Sequence, residues 1–584
     1  MTRNDQPPKG VGVAIILLFA ALSHIGALSA VWFMDDPAAI VYSPMVTDGG
    51  WFLGGMRSFT YLTYWVTYAA CGMSSAAFHA GNILIHCFQA VCIYLFSGIF
   101  IREMRGADKG TSEADPTWFP LVAALIFAVH PLSGEITHYA RARDHELVGL
   151  FSFLTAVFTV RSIRGGVRWL PSLALVVLLG ALSKEQGLVQ CLLSAGIVGA
   201  FYWRDPESLR KLKKIPKRFF AYAAATTGLL AIIFFTETVF FWWQAAYEML
   251  ASQDLAYHTL TQSRVVWEYL FRMVIPVLLC PDHQIAMTVS YWDFGAWLAF
   301  ATAIAALLGI LHLYRRGYSL WAFFVAMTLA PIFIRFAYVL ETALMVEYRA
   351  YPSLPWVCMI FSLGLCRVFQ GRPQALKTAA LIVILSFSFI TFNYGKAWQS
   401  TDLLTGHILR TYPTQLRAII ENNGCSLFRG NYGTVIAQAD DFRRRVLMIG
   451  EIEGRHPERR YRGVGYFAAR FNLQRAEALV EVGSCDAALG VLQSTWPLIV
   501  QSQGEQRFGA LEAEWHLVRS LAEAGKGNIK TSKTHRDLAF LIDGSPMQRA
   551  REAQALSRLA REQPQPGARP SLPDPENAAP VKTP

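Results

Sequence analysis

The sequence predicts an all-α polytopic membrane protein, with about eleven transmembrane helices and a C-terminal soluble helical domain. Three observations predict it. Apolar runs of about 17–25 residues, long enough to span a bilayer, recur along the first two thirds of the chain. Of its 584 residues, 53% are hydrophobic and only 16% charged, with a mean hydropathy of +0.30, too apolar for an ordinary soluble protein. After Asn393 the composition turns soluble and its apolar spacing helical.

The chain divides accordingly. Residues 1–10 form a short N-terminus, expected to be cytoplasmic. The first apolar run exceeds a signal-peptide core, so it is read as a retained span. Residues 11–392 form the membrane domain, with spans expected near 11–33, 79–101, 117–131, 147–163, 169–183, 186–203, 218–238, 292–313, 318–335, 353–369 and 376–392. The segment 265–280 carries Glu268 and Arg272 and ends in Pro281-Asp282-His283. It reads as re-entrant or interfacial. Residues 393–562 form a helical domain with a degenerate tetratricopeptide-like signal. RAEALVEVGSCDAALGVLQS from Arg475 is echoed by WHLVRSLAEAGKG from Trp515, with Gly483 and Gly525 marking the turns. Residues 563–584 contain seven prolines and are expected to be disordered.

The net charge of +11 does not point to nucleic acid, because its lysines and arginines fall in short loops between apolar runs. Arg102, Arg105 and Lys109, the cluster from Arg204 to Arg218, Arg315 and Arg316, and Arg367, Arg372 and Lys377 all land on one side if the N-terminus is cytoplasmic. The expected location is a cell inner (plasma) membrane, with the C-terminal domain periplasmic. Nine cysteines show no zinc-like spacing, and a Cys425–Cys485 bridge would need an oxidising compartment.

The opposite loops carry the chemistry. Asp35 and Asp36 stand side by side where the first span leaves the hydrocarbon. Burial gives no reason for two charges there, and the pair reads as a carboxylate site. Arg57 begins an aromatic-rich segment read as an interfacial helix. His79, Asn82 and His86 share one helical face; the plainer reading is polar glue between helices, and a metal site lacks a third ligand of suitable spacing. HPLSGEITHYARARDHE holds His130, Glu135, His138, Arg141, Arg143, Asp144, His145 and Glu146, eight of seventeen residues able to carry or share a proton. Lys184 and Glu185 sit between two spans with almost no loop, where a charged pair must be paired or functional. Glu347, Tyr348, Arg349 and Tyr351 precede another span, and the planar fork of Arg349 suits a phosphate. Carboxylates, cations and aromatic rings at membrane depth suit a polyprenyl-phosphate sugar donor. Cations would bind the phosphate, and a carboxylate would deprotonate an acceptor hydroxyl. A divalent cation is left open.

These blocks, in this order, resemble the GT-C integral-membrane glycosyltransferases, and among them the transmembrane and tetratricopeptide-repeat O-mannosyltransferase family and its bacterial relatives. The likeness rests on FMDDPAAIVYSP, GMRSFTYLTY, FHAGNILIH, FAVHPLSGEITHYARARDHELVGLFSFL, LLSKEQGLV, YLFRMVIPVLLCPDH, VEYRAYPSLP and NYGKAWQSTDLL, and covers roughly residues 11–410. It implies inverting transfer of a sugar from a polyprenyl-phosphate donor to a hydroxyl of an exported protein, such as a pilin-type subunit. It also implies Asp35 or Asp36 as catalytic base, and Arg57, Arg141, Arg143, Lys184 and Arg349 at the donor phosphate and acceptor. Supporting residues would be His79, His130, Glu135, Asp144, Glu185, Asp282, His283, Glu347 and Tyr351. A lipid or glycan acceptor, a lipid-linked sugar transporter and a non-catalytic scaffold presenting the C-terminal helices are the competing readings. The transporter would show repeats between its halves.

Overall fold

The structure is a computed structural model, described for residues 8–104, 118–202, 254–333, 343–501 and 508–542. The chain divides into two compact units. The first is Met1–Asn422 with Phe442–Gly463; the second is Asn423–Asp441 with Val464–Pro584.

Six helices among the described residues are long and apolar enough to cross a membrane: Lys9–Ser29, Ser75–Ile101, Ala140–Arg164, Phe294–Arg315, Glu347–Val368 and Pro373–Ala397. A bent pair, Phe119–Ala128 and Pro131–His138, makes a seventh if it is one crossing. Leu170–Ala181 and Ser319–Phe333 are shorter apolar helices. The chain is therefore a helical membrane protein. The expected span 218–238, the basic cluster 204–218 and the proline-rich tail lie outside the described residues. The segment 265–280 enters a helix, Asp254–Val274, that leaves Trp267 and Phe271 exposed, and beyond it the chain is non-helical to His283. It is not among the helices apolar enough to cross.

The helix Arg143–Gly165 lies near the middle of the first unit, and 89% of the most apolar stretch of Ala140–Arg164 is buried. Around it Phe100, Phe119, Phe153, Phe323, Phe324 and Trp356 interlock at ring-centroid distances of 5.3–6.5 Å. The 46° bend at His130-Pro131 has a sequence cause. Proline lacks an N–H and clashes with the preceding turn, so the helix stops and restarts. The carbonyls freed there are taken up by neighbours: His86 Nε2 contacts Ala128 O at 3.1 Å, and Thr391 Oγ1 donates to Val129 O at 2.7 Å. At membrane depth such groups need partners within the protein.

Among the described residues, Arg143 is a fully buried charged side chain, 1% exposed. Its guanidinium donates to Asn82 Oδ1 (2.7 Å), Phe78 O (2.6 Å), Thr63 O (3.2 Å) and Thr67 Oγ1 (3.2 Å), and lies 4.8 Å from the Tyr64 ring centre. Gly81 makes room for it, since a Cβ there would come within 2.6 Å of Nη2. Arg143→Met should lower the thermal midpoint of the solubilised protein sharply, because each hydrogen bond to a charged group is worth about 1.5–3 kcal/mol. A midpoint unchanged from wild type would refute this role.

Two residues from each of two distant segments close a small antiparallel ladder, Met287–Thr288 with Arg459–Arg460. Arg459 clamps it by a two-pronged bond to the Asp293 carboxylate, both at 3.0 Å.

In the second unit, Val464–Glu481 pairs with Cys485–Gln501, and Phe508–Gly525 with Ile529–Ile542. Leu473, Ala476, Val480, Ala488, Leu492, Trp515 and Val518 form a core shared by the first three of these helices. Gly483 (φ 78°) makes the first turn as expected. The second turn is made by Gly527 (φ 81°), while Gly525 is the last residue of its helix. Only glycine adopts that left-handed backbone without cost. Cys425 and Cys485 are unbridged.

Candidate functional site

Four segments far apart in sequence meet at one cleft of ≈ 250 Å³, counted to its open mouth. It is lined by Asp35, Tyr139, Arg141, Ala142, Asp144, His145, Lys184 and Tyr348. Local folding brings each of them there. Beyond the first span the chain turns at Met34, which adopts a left-handed φ of 46°. The turn separates the two acids. Asp35 is exposed and faces the cleft; Asp36 is fully buried.

Asp36 holds the local structure together. Its Oδ2 accepts the Phe33 N–H at 3.0 Å and its Oδ1 accepts the Arg141 N–H at 2.7 Å, tying the first loop to the 140–142 turn. Burial raises its carboxyl to about 7, against the pull of those two N–H groups and of the Arg141 charge. Asp35 donates its own N–H to Tyr139 Oη at 3.3 Å.

The opposite side of the cleft is an ion cluster centred on Asp144, whose side chain is 1% exposed. Its Oδ2 receives Lys184 Nζ at 2.7 Å and Arg141 Nη1 at 2.8 Å, with Arg57 Nη1 at 3.7 Å. Arg57 in turn grips Glu185 through Nε at 2.5 Å and Nη2 at 3.0 Å. The turn carrying Lys184 and Glu185 is fastened to the Ser58–Cys71 helix. Phe59 N donates to Leu182 O at 2.9 Å, and Thr60 Oγ1 to Ser183 O at 2.7 Å. Burial lowers the Lys184 ammonium to about 7, although Asp144 pulls it back up. Its proton is therefore held below that pH and lost above it.

The remaining expected site residues lie behind this wall. Glu347 is fully buried; its Oε1 accepts the Cys280 N–H at 2.6 Å and meets His283 Nε2 at 2.9 Å, and its Oε2 accepts Tyr394 Oη at 3.3 Å. Glu135 Oε2 accepts the Tyr348 N–H at 2.7 Å. Arg349 Nη1 donates to Ala343 O at 2.6 Å, with its guanidinium 5.9 Å from the Tyr348 ring. Asp282 is 3% exposed, and its carboxyl is raised by burial against the pull of Arg417, His283 and Arg349. His79 Nδ1 meets Thr137 O at 3.1 Å, Asn82 Nδ2 donates to Ile136 O at 2.9 Å, and His86 Nδ1 meets Tyr351 Oη at 2.8 Å. His130 Nε2 meets Met273 O at 2.9 Å. These four residues and Tyr351 join helices, and Arg143 is spent in the same way, away from the cleft lining. Among the described residues, no three His, Cys, Asp or Glu side chains converge as metal ligands.

Four lining residues were not among the expected site residues: Tyr139, Ala142, His145 and Tyr348. All lie within motif blocks read from the sequence, and the signal for two of them was weak. A tyrosine in a loop adds nothing to a count of charges, yet Tyr139 Oη meets the Asp35 backbone, and the His145 ring lies 4.7 Å from that of Tyr348, tilted by 47°.

No family model matches the chain. A curated relative is the protein O-mannosyl-transferase of Caenorhabditis elegans, 23% identical over 322 residues. The match covers 50% of this chain and 43% of that relative. The chain is thus a distant relative of a protein O-mannosyl-transferase, consistent with the family that its motif blocks resemble.

Proposed function

We propose that this chain is a membrane glycosyltransferase, moving a sugar from a polyprenyl-phosphate donor to a hydroxyl of an exported protein. The observation that carries the reading is the cleft itself. Its lining holds one exposed carboxylate, Asp35, together with Arg141 and Lys184, two of the three cations gathered on Asp144. The relationship to an O-mannosyl-transferase supports the same class.

The chemistry needs both sides. Arg141 and Lys184, with Arg57 behind them, take the donor phosphate and stabilise charge that grows on it as the bond to the sugar breaks. Asp35 accepts the acceptor hydroxyl's proton. The acceptor oxygen bonds the sugar's anomeric carbon from the opposite face, and polyprenyl phosphate leaves with the bonding electrons. Attack opposite the leaving group inverts the anomeric configuration. Tyr139 holds the Asp35 backbone. The cleft opens outward from an inner membrane, the N-terminus is cytoplasmic, and a pilin-type subunit is one acceptor of suitable kind.

The deciding experiment is the intact mass of exported proteins from cells with the gene, without it, and with Asp35→Asn. Loss of one hexose or pentose unit in both altered strains is expected. No mass change in any exported protein would sink the protein-acceptor reading. A pH consequence follows from Lys184. The donor KM should rise as pH climbs through about 7, where the ammonium loses its proton. Lys184→Arg keeps its charge over that range and should flatten the limb. A limb unaltered by that substitution would assign it to another group.

A further inference from the structure

One ring in the cleft wall has no part in the transfer described above. Glu347 is fully buried and Arg349 is buried, while Tyr348 between them is half-exposed. Of the three, only Tyr348 lines the cleft. Its place is fixed on several sides. Its N–H is held by Glu135 Oε2 at 2.7 Å, and the preceding Glu347 is pinned by the Cys280 N–H, His283 Nε2 and Tyr394 Oη. The Arg349 guanidinium lies 5.9 Å from its ring centre. Selective recognition needs contacts held in place before the ligand arrives, and this side chain meets that need.

The ring also has a neighbour from each end of the cleft. Tyr139, whose Oη takes the Asp35 N–H, lies 6.0 Å away between ring centres. His145, the residue after Asp144, lies 4.7 Å away. In the transfer proposed above, the phosphate sits on Arg141 and Lys184 beside Asp144, and the acceptor hydroxyl sits at Asp35. The sugar is bonded to the first and attacked by the second, so it occupies the stretch between them, where Tyr348 stands. The cleft, ≈ 250 Å³ counted to its open mouth, falls short of the ~300–1,000 Å³ of pockets for drug-sized ligands. That suits one sugar ring better than a chain of them. The charged lining residues serve the phosphate and the base. A tyrosine hydroxyl, which both donates and accepts, matches a neutral sugar hydroxyl.

We propose that Tyr348 is the residue that reads the donor sugar: its hydroxyl bonds one hydroxyl of the bound monosaccharide, while Tyr139 and His145 flank its ring. Epimers differ in where one hydroxyl points, so a fixed partner for that position ranks them. A site built to bond a hydroxyl discriminates against a ligand that lacks it. The proposal rests on the glycosyltransferase reading and adds the residue that selects the sugar.

The test uses the full chain in lipid nanodiscs with polyprenyl-phosphate donors carrying mannose, glucose, galactose, N-acetylglucosamine or xylose. Cleavage is followed as polyprenyl phosphate formed, and single-deoxy versions of the preferred donor are then compared. Tyr348→Phe should lower kcat/KM for the preferred donor about five- to tenfold, the worth of one hydrogen bond. For one deoxy donor the substitution should cost nothing further, because the partner is already gone. Polyprenyl phosphate, which lacks the sugar, should inhibit wild type and variant equally. A wild type that takes all five sugars alike overturns the proposal. So does a loss that is the same on every deoxy donor, or absent on the parent. Weakened inhibition by polyprenyl phosphate would make Tyr348 a support of the phosphate site or the fold, and also overturns it. If the wild type cleaves no donor, the glycosyltransferase reading itself fails and takes this assignment with it.

Discussion

Asp35→Asn should lower sugar transfer by about 10²–10⁴-fold, the usual worth of general-base help, in a protein that melts like wild type. Its side chain is exposed in the cleft, so the substitution removes a proton acceptor and little else. Asp36→Asn should do the reverse in kind. Its two carboxylate oxygens serve two backbone donors, Phe33 N and Arg141 N. An amide offers one oxygen and turns an N–H₂ toward the other donor. That leaves a buried group unsatisfied, at a cost of about 1–3 kcal/mol. The thermal midpoint should drop, and activity should fall only as far as Arg141 shifts. Measuring both variants for transfer and for melting separates the two acids. Equal loss of activity at unchanged stability would show that the pair acts as one unit.

Asp144→Asn is the second large effect. Three cations lose their common counter-charge in a site where the carboxylate is almost wholly buried. Removing one partner of a buried ion pair typically destabilises by about 3–5 kcal/mol. A double variant with Lys184→Met removes one stranded cation and should regain part of that stability, read as a non-additive cycle. Simple additivity of the two single effects would mean that the 2.7 Å contact carries no coupling.

Much of the fold could be read from the sequence because membrane helices leave a long apolar signal. The spans begun near residues 11, 79, 292 and 376 fall on helices of the expected kind. The expected span 117–131 ends at the Pro131 bend, and the short helical segment that restarts beyond it was not legible, because a proline's effect on a helix depends on which neighbours can take the freed carbonyls. Here those neighbours are His86 and Thr391, distant in sequence. At the cleft, the residue types were legible and their burial was not. Asp35 and Asp36 are identical in a sequence; only the left-handed turn at Met34 sends one outward and the other into the fold. Arg141 and Arg143 differ by one position, and the partners waiting for Arg143 at Asn82, Phe78, Thr63 and Thr67 come from segments that no local pattern connects to it.

The Asp144 cluster also bears on turnover. Arg57, Arg141 and Lys184 meet a resident carboxylate before any donor arrives. In the transfer proposed above, an arriving phosphate would share these cations with Asp144, which would weaken its hold relative to bare charges. The spent lipid carrier would face the same competitor once the sugar had gone. A built-in rival anion would thus trade ground-state affinity for release, and on that reading Asp144→Asn should retain polyprenyl phosphate as a tight product inhibitor wherever the variant still folds.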